Sequence, residues 1–301
     1  MRLYPEAFKL GAADPTWLHT TQSATTYRRL LSRVQERYPH VDLENFTEKH
    51  LVDWLLEQTC GDTTRTNYRS HLKGFFTWAH TRDLIPSNPA ARLTALVPVK
   101  PVPVAVHRWM ERSEIEDVLG AVPDTLMGVR DMAILRLGFG CGLRRTEIAS
   151  LNWGDVDLER REIRVVGKNR KAAVVAVSDS LASTLSHLRV EAKNGLDGVL
   201  GASPVIVRFR RLVNFATGEV SQTPEWGQRL SGSGVYNVVR RYGKFSPHDM
   251  RRSFAGQVHK LAGIEATSAA LRHSNLGTTQ VYLEKRADAA ARAVRKAGWD
   301  I

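Results

Sequence analysis

Apolar residues recur at helical spacing through the first third of the chain. In residues 25–38 they form one stripe, with basic side chains on the opposite side. A second helix is predicted to begin after Thr47, whose side-chain oxygen suits the capping position. A third helical stretch covers residues 63–84 and stops where Pro86 breaks the pattern. This part of the chain is therefore predicted to be all-helical.

Prolines then alternate with valines in residues 94–108. Proline lacks the amide hydrogen that a helix interior requires, so this segment is predicted to be an extended, semi-rigid linker without helix. It separates a helical domain, residues 1–93, from a second domain, residues 109–301. A chain of 301 residues is long enough for two domains that each bury a core.

The second domain mixes helical patterns with one alternating pattern. Ser113 is predicted to cap a helix, and residues 131–139 are apolar enough to form a buried one. The run REIRVV–GKNRK–AAVVAV, residues 161–177, predicts two strands joined by a turn. Ser231 or Ser233 is predicted to cap a further helix. The expected fold class is mainly α with a small β-sheet in the second domain.

Composition narrows the class of protein. Apolar residues make up 43% of the chain and charged residues 25%, which is ordinary for a soluble globular protein. With no run of about 18 apolar residues and no apolar signal-peptide core, a cytoplasmic protein without a membrane partner is expected. Cys60 and Cys141 lie far apart, which argues against a disulfide framework or a zinc site. Neither a metal cluster nor a phosphate-binding glycine loop is evident, so no cofactor is expected.

The charge balance indicates the kind of partner that the protein binds. The net charge is +12 and the isoelectric point is near 10.0. Basic side chains outnumber acidic ones by 14 to 10 in residues 1–108 and by 29 to 21 in the remainder, so the excess is not confined to a tail. A nucleic-acid partner is the leading inference, because Lys and Arg neutralise phosphates. The alternative is a merely basic soluble protein.

A candidate phosphate site lies near the end of the chain. Ser246 followed by Pro247 is a strong helix start, which places His248 in the first turn, where the helix favours an anion. Arg251 is three residues further on and emerges on the same face. A helix that opens in this way is suited to hold a phosphate. The alternative is an ordinary solvated helix surface.

Two further cationic positions lie upstream. Arg144 follows a glycine-rich turn at the start of a short helix, with Glu147 three residues on. The pair is either a guanidinium positioned for phosphate by a carboxylate or an ordinary surface ion pair. Lys168 is predicted at the tip of the hairpin, where lysine often serves solubility alone. In residues 190–230 the pattern is uninformative, apart from a basic segment, VRFRRL, interpreted as a possible insertion near nucleic acid.

Short polar and basic side chains also gather at the start of the third helix of the first domain. They suit contacts with phosphates and grooves, although each is individually more typical of a solvated helical bundle. These candidate DNA-binding residues are Thr64, Arg65, Asn67, Arg69 and Lys73.

At this point the chain resembles the tyrosine recombinase (phage integrase) family. The resemblance rests on GLRRTEIASL, VVGKNRK, HDMR and LRHSNLGTTQVY in the second domain, in the family's order and with similar separations. TNYRSHLKGFFTWA and SNPA make the first domain similar to the family's helical, SAM-like core-binding domain. By this resemblance Glu147 is accessory and the catalytic residues are Arg144, Lys168, His248, Arg251, His273 and Tyr282.

The resemblance implies a reaction as well as a site. Tyr282 attacks a phosphodiester of double-stranded DNA and gives a 3′-phosphotyrosine and a free 5′-hydroxyl. Lys168 acts as the general acid for the leaving oxygen. Strand exchange then proceeds through a Holliday junction in a homotetramer, with an accessory DNA-bending protein possible and neither metal nor ATP required. An integrase of a phage or mobile element is favoured.

Several alternatives stay open. A chromosome-dimer resolvase shares the motifs and the length, and a type IB topoisomerase shares the chemistry. A further alternative, which is not an enzyme, is a DNA-binding regulator with a decayed active site. Arg272 is the feature that favours decay, because the family usually has glycine before the second histidine, and an arginine is bulkier.

Overall fold

The computed structural model describes most of the chain, which divides into two compact units, Met1–Ala105 and Val106–Ile301. The described residues are 1–14, 17, 21–99, 109–166, 172–196, 200–213, 218 and 220–272. The fold is mainly helical with small antiparallel sheets, as the sequence predicts.

The described part of the first unit is helical apart from an isolated bridge between Arg2 and Asp42. Single turns lie at Leu3–Ala7 and Leu43–Asn45. The α-helices are α1 (Phe8–Ala13), α2 (Thr21–Arg37), α3 (Glu48–Glu57), α4 (Asp62–Thr81) and α5 (Leu93–Leu96). The predicted start of α3 is confirmed, because the Thr47 side chain accepts a hydrogen bond from the amide of His50.

The core of the first unit is aromatic and aliphatic. Trp54, Phe75 and Phe76 are almost fully buried, together with Leu31 and Leu72. These side chains come from α2, α3 and α4, so each helix contributes the apolar stripe that its sequence predicts.

Helix α5 corrects one prediction. The segment 94–108 was expected to contain no helix, but residues 94–96 belong to α5. The first proline of the segment is Pro98, so nothing prevents a helical turn before it, and Leu93 and Val97 anchor that turn in the core. Residues 100–108 lie outside the described part of the chain.

The second unit carries both sheets. Its α-helices are α6 (Arg112–Gly120), α7 (Leu126–Cys141), α8 (Arg145–Ser150), α9 (Asp179–Gly195), α10 (Gly232–Arg241) and α11 (Pro247–Leu271). Its strands are β1 (Val156–Asp157), β2 (Glu162–Val166), β3 (Ala172–Ala176), β4 (Val207–Val213) and β5 (Val220–Arg229). Single 3₁₀ turns lie at Trp153–Asp155 and Leu200–Ala202.

Both sheets are antiparallel. Strands β1, β2 and β3 follow one another in space, with Ile163 opposite Val175. The predicted hairpin is therefore confirmed. Strands β4 and β5 form a separate ribbon, with Phe209 opposite Pro224, in the region whose pattern was uninformative.

Helix α7 is the centre of this unit. It packs against α9, α10 and α11, and its Ile134 and Leu137 side chains are fully buried. The buried helix predicted for residues 131–139 is confirmed and is longer than predicted. The capping prediction for Ser113 is wrong: α6 begins at Arg112, two residues earlier than a cap at Ser113 predicts, and Glu111 is the capping residue, paired with Glu114.

A buried ion cluster joins α7 to its neighbours. Asp131 accepts from Arg130 Nε at 2.6 Å and from the Tyr242 hydroxyl at 2.8 Å, and Arg241 lies 3.2 Å from the same carboxylate. Arg130 also donates to the carbonyl of Val207 at 2.8 Å. The cluster therefore links α7, α10 and β4 around Arg130 and Asp131, which are buried, while Arg241 is partly exposed.

Within the described residues, no helix has both the length and the apolar character needed to cross a membrane.

Candidate active site

Helix α11 positions the first pair of candidate residues. The Ser246 side chain caps it by accepting from the amide of Asp249, and Asp249 Oδ2 accepts the amide of Ser246 at 2.9 Å in return. Pro247 occupies the first helical position. The helix start predicted from the sequence is confirmed, and it places His248 and Arg251 on one side of the first turns.

Helix α8 positions the second pair. Gly142 ends α7 in the left-handed conformation with φ of 59°, and the chain then enters α8 at Arg144. A Cβ atom on Gly142 would lie 2.4 Å from the ring of Phe254, so both the conformation and the space require glycine here. Glu147 accepts from the Arg144 amide at 2.8 Å and from its Nη1 at 2.7 Å.

The two helix starts meet in one pocket of about 390 Å³. Arg144 comes from α8, while His248 and Arg251 come from α11. The residues that line the pocket are Arg144, Arg145, Thr146, Tyr236, Ser246, Pro247, His248 and Arg251. Guanidinium groups and a helix N-terminus on one cavity make an environment suited to an anion.

Arg251 is held more firmly than its neighbours. Its side chain is 1% exposed and donates to the carbonyl of Gly142 through Nη1 and to the carbonyl of Leu271 through Nη2, the latter at 2.6 Å. These bonds join the end of α7 to the end of α11. The guanidinium of Arg251 therefore supports the fold at the same time as it lines the pocket.

Glu147 is buried, which rules out the reading of Arg144 and Glu147 as an ordinary surface pair. The Glu147 side chain is 5% exposed and that of Arg144 is 41% exposed. Arg272 also donates to Glu147, from Nη2 to Oε2 at 2.9 Å. Burial lowers the pKa of the Arg272 guanidinium, and the charge of Glu147 partly opposes that effect.

Cys141 lies at the end of α7 in the same region. Burial raises the pKa of its thiol to about 12, with a smaller opposing effect from Arg272. The thiol therefore stays protonated at neutral pH and packs as a small apolar group.

The remaining predicted catalytic residues, Lys168, His273 and Tyr282, lie outside the described residues. Sequence reasoning did not single out Arg145, Thr146 or Tyr236, which also line the pocket. Arg145 and Thr146 directly follow Arg144, so their position in the sequence could have indicated them. Tyr236 had no signal, because α10 enters the site through tertiary packing.

In the first unit, the candidate DNA-binding residues of α4 divide into two groups. Thr64 and Asn67 are exposed. The other three are engaged within the unit: Arg65 donates to the Gln58 carbonyl at 3.1 Å, Arg69 to the Val97 carbonyl at 2.7 Å, and Lys73 to the Thr94 hydroxyl at 2.9 Å.

Comparison with known proteins identifies the family. Residues 108–288, more than half of the chain, match the phage integrase family, and the chain belongs to it. It is thus a tyrosine recombinase, a class of enzymes that exchange DNA strands.

Two relatives illustrate the similarity. Tyrosine recombinase XerC of Shewanella amazonensis is 33% identical over 215 residues, which span 71% of this chain and 67% of the relative. Tyrosine recombinase XerD of Pseudomonas aeruginosa is 26% identical over 281 residues, or 89% of each chain.

Solved structures show the same fold. The Tn1549 transposon integrase, in complex with circular intermediate DNA, superposes with a TM-score of 0.65 at 17% identity, over 97% of this chain and 99% of that one. A lambda integrase dimer bound to a COC′ core site gives a TM-score of 0.65 at 16% identity, over 95% of each chain.

Proposed function

We propose that this chain is a site-specific recombinase that cleaves and rejoins double-stranded DNA through a 3′-phosphotyrosine. The observation that carries the proposal is the pocket in which Arg144, His248 and Arg251 meet from two separate helix starts. This is the arrangement that a phosphodiester needs, because charge develops on its non-bridging oxygens during displacement.

The three pocket residues differ in how they are held, and each is proposed to have a different role toward the phosphate. Arg251 donates to two carbonyls, so its guanidinium is already held in one orientation before a phosphate arrives. Arg144 is more exposed and is ion-paired with Glu147, and it supplies the second guanidinium. His248 lies in the first turn of α11, near the positive end of the helix, where it can hydrogen-bond the phosphate or move a proton.

The covalent step is assigned from the family motifs. The Tyr282 oxygen forms a bond to phosphorus as the bond to the 5′-oxygen breaks, and the phenol gives its proton to His248 or His273. Lys168 gives a proton to the leaving 5′-oxygen, and His273 joins His248 in proton transfer and phosphate binding. One phosphoester replaces another, so no ATP is consumed. Exchange between duplexes then passes through a Holliday junction in a homotetramer, with an accessory DNA-bending protein where the site requires one.

Helix α4 of the first unit is proposed to contact the DNA backbone through Thr64 and Asn67, which are exposed. Arg65, Arg69 and Lys73 are included in this surface, although their hydrogen bonds within the unit mean that each would exchange a partner for phosphate. Substitution of Asn67 by Asp should weaken DNA binding, because it adds a negative charge next to phosphate.

Integration of a phage or mobile element is the proposed role. Chromosome-dimer resolution is a second candidate, favoured by the similarity to proteins named XerC and XerD. The two differ in the DNA they act on: an integrase recognises the junctions that flank its own element, and a resolvase recognises a site on the chromosome.

The decisive experiment uses a duplex of the DNA that flanks the gene, nicked near the crossover so that the cleaved state is trapped. Wild-type protein should give a protein–DNA adduct that survives denaturation, and Tyr282→Phe should give none while it binds the same duplex with similar affinity. Binding by wild type without any adduct contradicts the proposed reaction. An adduct only with a duplex from the chromosomal terminus would favour the resolvase.

A further inference from the structure

Arg272 occupies a backbone conformation that arginine rarely adopts. It closes α11 with φ of 56° and ψ of 41°, in the left-handed region. A side chain costs about 1 kcal/mol or more there relative to glycine, which explains why glycine suits a helix end of this kind. An arginine at this position therefore indicates an interaction that offsets the strain.

The interaction is with the buried carboxylate behind the pocket. Arg272 Nη2 donates to Glu147 Oε2 at 2.9 Å, and the Arg272 side chain is 14% exposed. Arg144 binds the same carboxylate through its amide and its guanidinium. Glu147 thus accepts three hydrogen bonds and lies between two cations.

The charges of this group matter for the reaction. Arg144 and Glu147 alone form a neutral pair, which weakens the attraction of Arg144 for a phosphate. Arg272 makes the group of three side chains positive overall. Arg144 is 41% exposed, and within the described residues its guanidinium has Glu147 as its ion-pair partner, so its direction depends on how firmly that carboxylate is held.

We propose that Arg272 is a positioning residue: it clamps Glu147 so that Arg144 faces the phosphate, and it restores the positive charge that Glu147 removes. The inference rests on the proposed function and extends it to a residue at which the sequence departs from the family. The replacement of the usual glycine by Arg272 is then an adaptation of the active site and not a sign that the site has lost its activity.

The test exploits the strain at this position. Arg272→Gly relaxes the backbone but also removes the hydrogen bond to Glu147, so the two effects oppose each other and the free energy of unfolding should change by no more than about 1 kcal/mol. Formation of the covalent adduct on the nicked duplex should nevertheless slow by about tenfold or more in single turnover, the scale of one charge-assisted hydrogen bond. Affinity for DNA should change by no more than about twofold, and Arg272→Lys, which keeps the charge, should recover part of the rate.

Arg161 offers a matched control. It also has a left-handed backbone, with φ of 55°, and it lies between β1 and β2, where it pairs with Asp179. Arg161→Gly relaxes the same strain without touching Glu147, so its cleavage rate should equal that of wild type. A rate loss equal to that of Arg272→Gly would overturn the proposal.

A double-mutant cycle tests whether Arg272 affects the cleavage rate through Glu147. If Arg272 acts through Glu147, adding Arg272→Gly to the Glu147→Gln variant should lower the rate of adduct formation little further. An undiminished loss in this background, or wild-type cleavage by Arg272→Gly, refutes the positioning role. Absence of any adduct with wild type instead refutes the proposed function, so the two failures are distinguishable.

Discussion

Arg251 and Arg144 are both proposed to bind the phosphate, yet the structure predicts that their loss has different effects on stability. Arg251→Ala removes the hydrogen bonds to the carbonyls of Gly142 and Leu271 and leaves a cavity in a buried region. Each buried acceptor that loses its donor costs about 1–3 kcal/mol, so unfolding should become easier by about 3–5 kcal/mol in total.

Arg144→Ala should be mild by comparison. Arg144 is 41% exposed, and after its loss Glu147 still has Arg272 as a partner. The carboxylate is therefore not left alone, and the change in the free energy of unfolding should stay below about 1 kcal/mol. Both variants should fail to form the covalent adduct.

Urea unfolding followed by circular dichroism measures the difference. For an m-value of about 3 kcal/mol/M, the midpoint of Arg251→Ala should fall by about 1–2 M, whereas that of Arg144→Ala should move by no more than about 0.3 M. Arg145→Ala is the control, because Arg145 lines the same pocket and is exposed. Equal midpoints for Arg251→Ala and Arg144→Ala would refute the claim that Arg251 supports the fold.

The other predictions concern the ion cluster and the start of α11. Tyr242 has its pKa raised to about 12 by burial and by its hydrogen bond to Asp131, so the folded protein keeps a proton that the unfolded chain releases near pH 10. Stability should therefore fall as pH rises from about 10 to about 12, and Tyr242→Phe should flatten that part of a pH–stability profile; an unchanged slope would contradict it. Ser246→Ala should lower the free energy of unfolding by about 1 kcal/mol through loss of the cap, and Ser246→Thr, which keeps the oxygen, should restore most of it in the same urea assay.

Features that depend on a few neighbouring residues were predictable. The caps at Thr47 and Ser246 and the β2–β3 hairpin follow from local rules, and the structure confirms them. Ser113 failed because Glu111 offered a competing cap two residues earlier. The turn before Pro98 was not predicted, because the prolines that follow it favour extended chain, whereas Leu93 and Val97 hold the turn in the core.

Contacts between distant residues were not predictable from one sequence. Arg272 and Glu147 are 125 residues apart. They meet because α8 and α11 both pack against α7. The bond from Arg69 to the Val97 carbonyl is of the same kind, since nothing near Arg69 indicates an acceptor 28 residues away. The order of the family motifs identified the cations of the pocket, but not how each of them is held.

The unequal burial of Arg144 and Arg251 also predicts how mutations at the two residues act when an intact copy of the gene is present. A lesion at Arg251 lowers the free energy of unfolding, so it lowers the amount of folded protein that could interfere with an intact copy in the same cell. A lesion at Arg144 leaves a folded protein that we expect still to occupy the recombination site. In the proposed homotetramer such a copy would compete with active subunits and inactivate mixed assemblies. A mutation at Arg144 should then behave as dominant, and one at Arg251 as closer to recessive.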